Sequence, residues 1–467
     1  MMSPSTTGTV VERIGGYAAS LQAGDLDAAV LDYAKRILLD TLACAYGGLE
    51  SEPARIVRGG VAELDNGAQA TLIGKGTKAN AQFAALANGV AIRYQDYNDV
   101  YFGPAWTAHP SDTIATVLAA AEWNNRSGIE FLLGMVIAYE VQMRFSDLPV
   151  AKNLWHRGWH HTAACSYAAA AGAGRMLGLN ASQLGHAVAL SGARSNTFSE
   201  IRHGDIPMDK ALSAPIVASQ AILYALLARQ GFTGCTTLLE GPYGFKHAVA
   251  GGVDVEPLVP QRGDFRIMKI GLKPYPVEGM TPAMVQAAIE LRNEHQLKPA
   301  EIQSIRIFAH EEAVTKPSWD DHKHKPVNKE TADHSFYYCT AVGLVAGDCT
   351  SEQFNERWLR DADVARLMQV STLEAKPELT ALFKLGGRPA AVEVTTPRGV
   401  FYREVLYPKG DPHNPMTWDD VTRKFFKQSE PFISRAAADA IVSRTAAIER
   451  EASIRNYVQL LGATSTQ

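Results

Sequence analysis

A chain of 467 residues, 46% of them hydrophobic, is too long for one simple core and predicts two domains. With 20% charged residues and a formal net charge of −4, nothing points to nucleic acid or to an anionic membrane surface. No apolar run approaches the roughly 20 residues of a membrane span. The opening MMSPSTTGTVVERIGG lacks a basic segment followed by an apolar one, so a soluble cytoplasmic protein is expected. The five cysteines, Cys44, Cys165, Cys235, Cys339 and Cys349, are scattered and never form CxxC. That spacing fits reduced thiols and carries no iron–sulfur signature.

In chain order, apolar residues recur at helical spacing from Leu26 to Ala45, and Gly47-Gly48 closes the run. Helices are predicted over Ala81–Val90, Thr113–Glu122, Gly128–Phe145, Thr162–Leu177 and Ala181–Gly192, separated by Gly, Asn and Ser. A further helix is expected from about Ala214 to Arg229, with Pro215 at its start. No strand signal precedes residue 263. Phe265–Ile270 then reads as β-like, Pro282–His295 as a helix with Thr281 as N-cap, and Ile302–Phe308 as a strand. Ala391–Thr396 and Val400–Tyr407 form a hairpin across Pro397-Arg398-Gly399, with Val392 and Val394 facing one way. Helical signal returns at Trp418–Phe426 and Arg435–Glu451. The expected architecture is mostly α: an all-helical domain over 1–262, completed by helices of 411–467, with a smaller α+β domain over 263–410 inserted.

Five stretches could carry chemistry. The first, RYQDYNDVYFGPAWTAHPSD (Arg93–Asp112), sets Asp96 and Asp99 among aromatics. Ser111 or Asp112 is a ready N-cap there, placing His109 just before a helix N-terminus that would suit an anion. The alternative is a polar loop with an ordinary cap. The second, His156-Arg157-Gly158-Trp159-His160-His161, has HxxxHH spacing. Its adjacent histidines would diverge, so His160 is read as a donor to an anion and not as a metal ligand. In the third, Arg202 to Lys210, a lysine near a helix start opposes the dipole unless an anion sits between them. In the fourth, Lys269 to Pro276, Pro274 and Pro276 stiffen the backbone around Lys273 and Tyr275 at the domain boundary, where clefts bind ligands. The fifth is Thr331-Ala332-Asp333-His334-Ser335-Phe336. Without a GxSxG elbow, and with the three groups adjacent in sequence, a nucleophilic triad is not indicated. Gly172, Gly174 and Gly178 follow a helix, which excludes a dinucleotide fingerprint.

Taken together, DYND, HPSD, GWHH before an Ala-rich helix, Met208–Lys210, KPYP and ETADHSFYY resemble the MmgE/PrpD family, in order, from about Leu38 to Pro408. The similarity is strongest to its 2-methylcitrate dehydratase branch; cis-aconitate decarboxylases and an iminodisuccinate epimerase are also members. The resemblance implies a large helical domain built from both chain ends, a smaller α+β domain, a homodimer, and no metal or organic cofactor. It carries catalytic positions onto Asp96, His109, Lys210 and Lys273, and substrate-binding positions onto His160, with His334 a further candidate. Arg202, Ser335 and Tyr275, from the same stretches, complete the candidate substrate contacts. Two positions depart from the decarboxylase branch: Val100 stands where that branch has a hydroxyl residue, and Glu278 where it has a histidine.

The implied activity is a hydro-lyase acting on a small tricarboxylate such as 2-methylcitrate, with decarboxylation or epimerisation as alternatives sharing proton chemistry at the α carbon. Dehydrating a β-hydroxy acid requires removing a proton next to a carboxylate and protonating the departing hydroxyl. The substrate carboxylate that gains charge needs fixed cations or donors, which Lys210 and Lys273 would supply. His109 and Asp96 are the first candidates for base and acid, with a desolvated lysine as another possible base.

Overall fold

The structure is a computed structural model that describes residues 7–194, 196–315 and 320–462. Its helices follow the predicted periodicity closely. Ala28–Gly47, Ala81–Tyr94, Ile114–Trp123, Gly128–Ser146, Thr162–Met176 and Ala181–Gly192 fill the first half. Capping explains several starts: Asp27 accepts from Val30 N–H, Ser127 forms a reciprocal capping box with Glu130, and Asn180 does so with Gln183. The alanine run Ala168–Ala171 is wholly buried, as close helix packing requires. Among the described residues, two short ladders precede residue 263, contrary to expectation: Ala70–Thr71 with Lys78–Ala79, and Tyr101–Phe102 with Thr107–Ala108. Two residues per strand are too few to leave a periodic signal.

Three further expectations are corrected. Phe265–Ile270 is not a strand; Arg266–Lys269 forms a 3₁₀ turn held by Glu140, whose carboxylate accepts from Arg266 N–H (3.0 Å) and Ile267 N–H (2.9 Å). The helix expected from Ala214 begins at Asp209 and encloses Pro215. That helix, Asp209–Arg229, is also long and apolar enough to cross a membrane, contrary to the expectation that no run would be. It packs instead against Ala81–Tyr94, Thr162–Met176 and Ala181–Gly192 as a core helix.

Among the described residues, the two largest apolar cores divide the chain. The larger gathers residues from Val10 to Leu272 and then Met416 to Leu461, so the C-terminal helices Trp418–Ser429, Arg435–Ala446 and Ile454–Leu461 close over the N-terminal half. The smaller runs from Val277 to Val405. Ile267, Ile270 and Leu272, assigned from sequence to the α+β unit, therefore belong to the first core. The smaller core lies under a four-stranded sheet ordered Ser371–Ala375, Ser304–Ala309, Ala390–Thr396, Gly399–Val405; the first pair is parallel and the others antiparallel. Val392 and Val394 do share the buried face, opposite Ile307 and Ile305. Helices Pro282–His295 and Phe336–Ala346 complete this layer. Thr281 does not cap the first of them by its side chain.

The chain crosses between the cores at 271–273. Val100 and Gly271 exchange both backbone hydrogen bonds, each 2.9 Å, and Leu272 N–H donates to Gly410 O at 2.9 Å. Gly410 has φ +88°, and a Cβ there would lie 1.7 Å from Leu272 O, so only glycine permits this approach. Lys424, from the C-terminal helices, locks the junction by donating to Asp40 (2.7 Å), Tyr97 O (2.7 Å) and Lys273 O (3.2 Å).

Candidate active site

The crossing delivers Lys273 to Asp96. Helix Ala81–Tyr94 ends just before Asp96, which adopts φ +50°, a conformation rare for a residue with a side chain. The reversal turns its carboxylate back onto Arg93, whose Nη1 lies 2.6 Å from Oδ1. Lys273 Nζ donates to Oδ1 (2.9 Å) and to the main-chain oxygen of Asp96 (2.8 Å). Lys210, in the first turn of Asp209–Arg229, donates to Oδ2 at 3.0 Å. The anion needed to explain a lysine at that helix start is thus Asp96 itself. Burial opposes its charge, but Arg93, Lys210 and Lys273 outweigh burial and hold the carboxyl well below the usual carboxylate range. A carboxylate so stabilised is a poor proton acceptor. Burial pushes the Lys210 ammonium down to about 8.

His109 approaches from the far end of the same loop. It precedes a 3₁₀ turn, Pro110–Thr113, that runs into Ile114–Trp123. Neither Ser111 nor Asp112 caps that helix. Ser111 instead donates its hydroxyl (2.6 Å) and N–H (3.2 Å) to Asp99 Oδ1, and Tyr139 donates to Oδ2 (2.7 Å). Burial pushes the Asp99 carboxyl up to about 7 against these hydrogen bonds. The main-chain oxygen of Asp99 accepts from His109 Nδ1 at 2.6 Å. A carbonyl only accepts, so Nδ1 carries the proton and Nε2 of the neutral ring keeps its lone pair. Burial, then the Arg93 and Lys273 charges, keep His109 neutral well below its ordinary pKa.

The tandem histidines do not diverge as expected: the His160 and His161 ring centroids are 4.1 Å apart, and His161 lies 5.3 Å from His109. His160 Nδ1 and both nitrogens of His161 are buried without a hydrogen-bond partner, although His161 Nε2 stands 3.5 Å from Asp112. Trp155 packs on both rings, and the Arg202 guanidinium stacks 3.7 Å above it. Trp155 also walls a cavity of about 480 Å³ with His156, Phe198, Glu200 and His203. The charge cluster does not line that cavity; Trp155 stands between the cavity and the His160–His161 pair.

The α+β domain contributes the remaining face. His334 Nδ1 contacts Asp333 Oδ1, its Nε2 lies 3.5 Å from Asp96 Oδ2, and Lys329 Nζ lies 2.7 Å from Asp333 Oδ2. Glu278 is buried, bonded through its N–H to Asp333 O (2.8 Å); burial raises its carboxyl against the pull of Arg202. Asp96, Asp333 and His334 have the donor types a divalent ion uses. Their carboxylate oxygens already face Lys210, Lys273 and Lys329, and a metal ion there would sit against those fixed charges.

Of the residues singled out from sequence, Asp96, His109, His160, Lys210, Lys273 and His334 converge, and Arg202 joins them through Trp155. Ser335 and Tyr275 do not. Ser335 caps helix Phe336–Ala346, accepting from Tyr338 N–H at 3.1 Å while its hydroxyl donates to Lys323 O. Tyr275 packs, half-buried, on the smaller core. Arg93 and Lys329 were missed. Arg93 reads as a basic last-turn residue that suits the helix dipole, and only the turn at Asp96 makes it a site residue.

Residues 12–258 match the N-terminal domain of MmgE/PrpD proteins and residues 275–448 match the C-terminal domain. The chain belongs to the MmgE/PrpD family. Lys273 falls in the gap between the two matched segments, on the crossing. The 2-methylcitrate dehydratase of Cupriavidus necator is 28% identical over 406 residues, 81% of each chain. The cis-aconitate decarboxylase of Aspergillus terreus is 26% identical over 370 residues, 74% of each chain. The cis-aconitate decarboxylase-like protein oryM of Aspergillus oryzae is 23% identical over 476 residues, 97% of each chain.

Proposed function

We propose that this member of the family is a cofactor-independent hydro-lyase that dehydrates a small polycarboxylate, with 2-methylcitrate-type tricarboxylates as the substrate class. The observation that carries the reading is one buried constellation: three cations, Arg93, Lys210 and Lys273, gathered on Asp96 beside a neutral His109 whose Nε2 is free to take a proton. The relatives named as 2-methylcitrate dehydratases support the same class.

His109 is the base in this reading. The substrate carboxylate next to the reacting carbon seats on Lys210 and Lys273, and their fixed charge stabilises the electron density that builds up as the proton leaves. Asp96 keeps those cations assembled and oriented; its strongly depressed pKa removes it from the role of base. A neutral imidazole as base contributes about 10²–10⁴-fold.

Decarboxylation is the second reading, favoured by the relatives named for cis-aconitate decarboxylation and opposed by Glu278 and Val100. A panel of small hydroxy-polycarboxylates and unsaturated polycarboxylates, with products identified by NMR, tests both. An unsaturated product with water lost supports dehydration; release of CO₂ overturns it in favour of decarboxylation. The homodimer implied by the family is part of the proposal, and light scattering of the purified chain tests it.

A further inference from the structure

Dehydration needs two proton transfers, and His109 accounts for one. The hydroxyl leaves only if a second group protonates it. A group suited to that task holds its proton more firmly than His109 and faces the same point from another direction.

His334 meets the geometric part of that requirement. It lies on the opposite domain from His109, buried to 4% exposure, with Nε2 3.5 Å from Asp96 Oδ2, the oxygen that accepts from Lys210, while Lys273 holds Oδ1 of the same carboxylate. The two histidines differ in what holds Nδ1. For His109 the partner is a neutral carbonyl, that of Asp99, which fixes the tautomer but adds no charge. For His334 the partner is the carboxylate of Asp333, which favours an imidazolium as well as orienting it. Asp333 is itself fixed on three sides: by Lys329 at 2.7 Å, by Lys210 at 3.8 Å, and by Glu278 N–H on its main-chain oxygen at 2.8 Å. Burial lowers both rings; the carboxylate bonded to His334 Nδ1, which His109 lacks, is what sets the two apart as acid and base.

We propose that His334 is the general acid of the reaction and that Asp333 is its positioning residue, anchored by Lys329. This rests on the hydro-lyase reading above. His109 Nε2 takes the proton from the carbon next to the substrate carboxylate, and the C–H electron pair becomes the new C=C bond. The C–O bond to the neighbouring carbon breaks, and the Nε2 proton of the His334 imidazolium goes to the departing oxygen, so that water leaves. His334 ends neutral and His109 ends protonated; exchange with solvent resets both. Burial first, and the Lys210 ammonium second, hold the His334 pKa down at about 3. The free site therefore holds His334 neutral, and the acid form arises only with substrate bound, whose carboxylates offset the Lys210 ammonium and place further negative charge beside the ring.

The test compares two leaving groups. A substrate in which fluoride replaces the hydroxyl eliminates without needing a proton on the departing atom. In His334→Gln, and separately in Asp333→Asn, hydroxide elimination is expected to fall about 100-fold or more, while fluoride elimination falls about tenfold or less. Deuterium from D₂O should still enter the carbon next to the carboxylate in both variants, because His109 is untouched. Equal losses with both leaving groups in the two folded variants would overturn the dyad and make His334 a binding residue. A wild-type chain that eliminates neither leaving group would instead contradict the hydro-lyase reading underneath.

Discussion

Two buried ionic clusters in this chain can be compared directly, and they differ in how completely they are satisfied. Glu140 and Arg144 sit one turn apart on Gly128–Ser146, 0% and 4% exposed at their side chains. Glu140 accepts from Arg144 (2.6 Å), Arg266 N–H (3.0 Å) and Ile267 N–H (2.9 Å), while Arg144 also donates to Asp264 O (3.0 Å). None of these side-chain atoms is left without a partner. The cluster at Asp96 is as deeply buried, yet it gathers three cations on one carboxylate, strains the backbone, and leaves His160 Nδ1, both nitrogens of His161 and Arg93 Nε without a hydrogen-bond partner. Burial and a perturbed pKa are common to both, so neither identifies a site. Surplus charge of one sign with unsatisfied donors does.

Substitution should separate the two clusters. Arg144→Met, which strands a buried carboxylate, should lower stability by about 3–5 kcal/mol. Thermal or urea unfolding would register that loss, with activity per folded molecule retained. Lys210→Met and Lys273→Met should behave in the opposite way, keeping the fold and losing about 10²–10³-fold in kcat/KM, the usual effect of removing one preorganised donor. Steady-state kinetics with circular dichroism separate the two patterns; a Lys273→Met enzyme of near-normal kcat/KM would make that lysine structural.

Acidity offers a smaller handle. Lys210 is a cation below its pKa of about 8 and loses its charge as pH rises through that value, so kcat/KM should fall on the alkaline side of about pH 8. Lys210→Arg should move that limb upward, because guanidinium stays charged. On the acid side, His109 remains a neutral base well below its ordinary pKa, so a pH–rate profile should show activity persisting below pH 6.5. The smallest expected effect is none. Exhaustive chelation should leave turnover unchanged, and loss restored by added iron or zinc would contradict the cofactor-independent reading.

Much of this arrangement was legible in the residues. Periodicity and flanking breakers located Ala181–Gly192 and Pro282–His295 to the residue, since helical signal is local. The start of Asp209–Arg229 was misread because proline usually opens a helix. Here Pro215 lies inside the helix, packed against Gly89, a contact no local window contains. The same limit applies to the site. Asp96, His109, Lys210 and Lys273 stood out as charged residues in unusual settings, whereas the roles of Arg93 and Lys329 depend on a backbone reversal and on the meeting of two domains. Ser335 was over-read because a capping serine and a ligand-binding serine look alike in sequence.

The central claim is that His109 moves a proton at carbon. Its most direct test is NMR of wild-type and His109→Gln enzyme incubated in D₂O with the substrate identified by the panel. Deuterium is expected at the carbon next to a carboxylate with the wild type. None is expected with His109→Gln, while ligand binding persists, because glutamine can still hydrogen-bond but cannot relay a proton. Normal incorporation by His109→Gln would show that the catalytic base lies elsewhere.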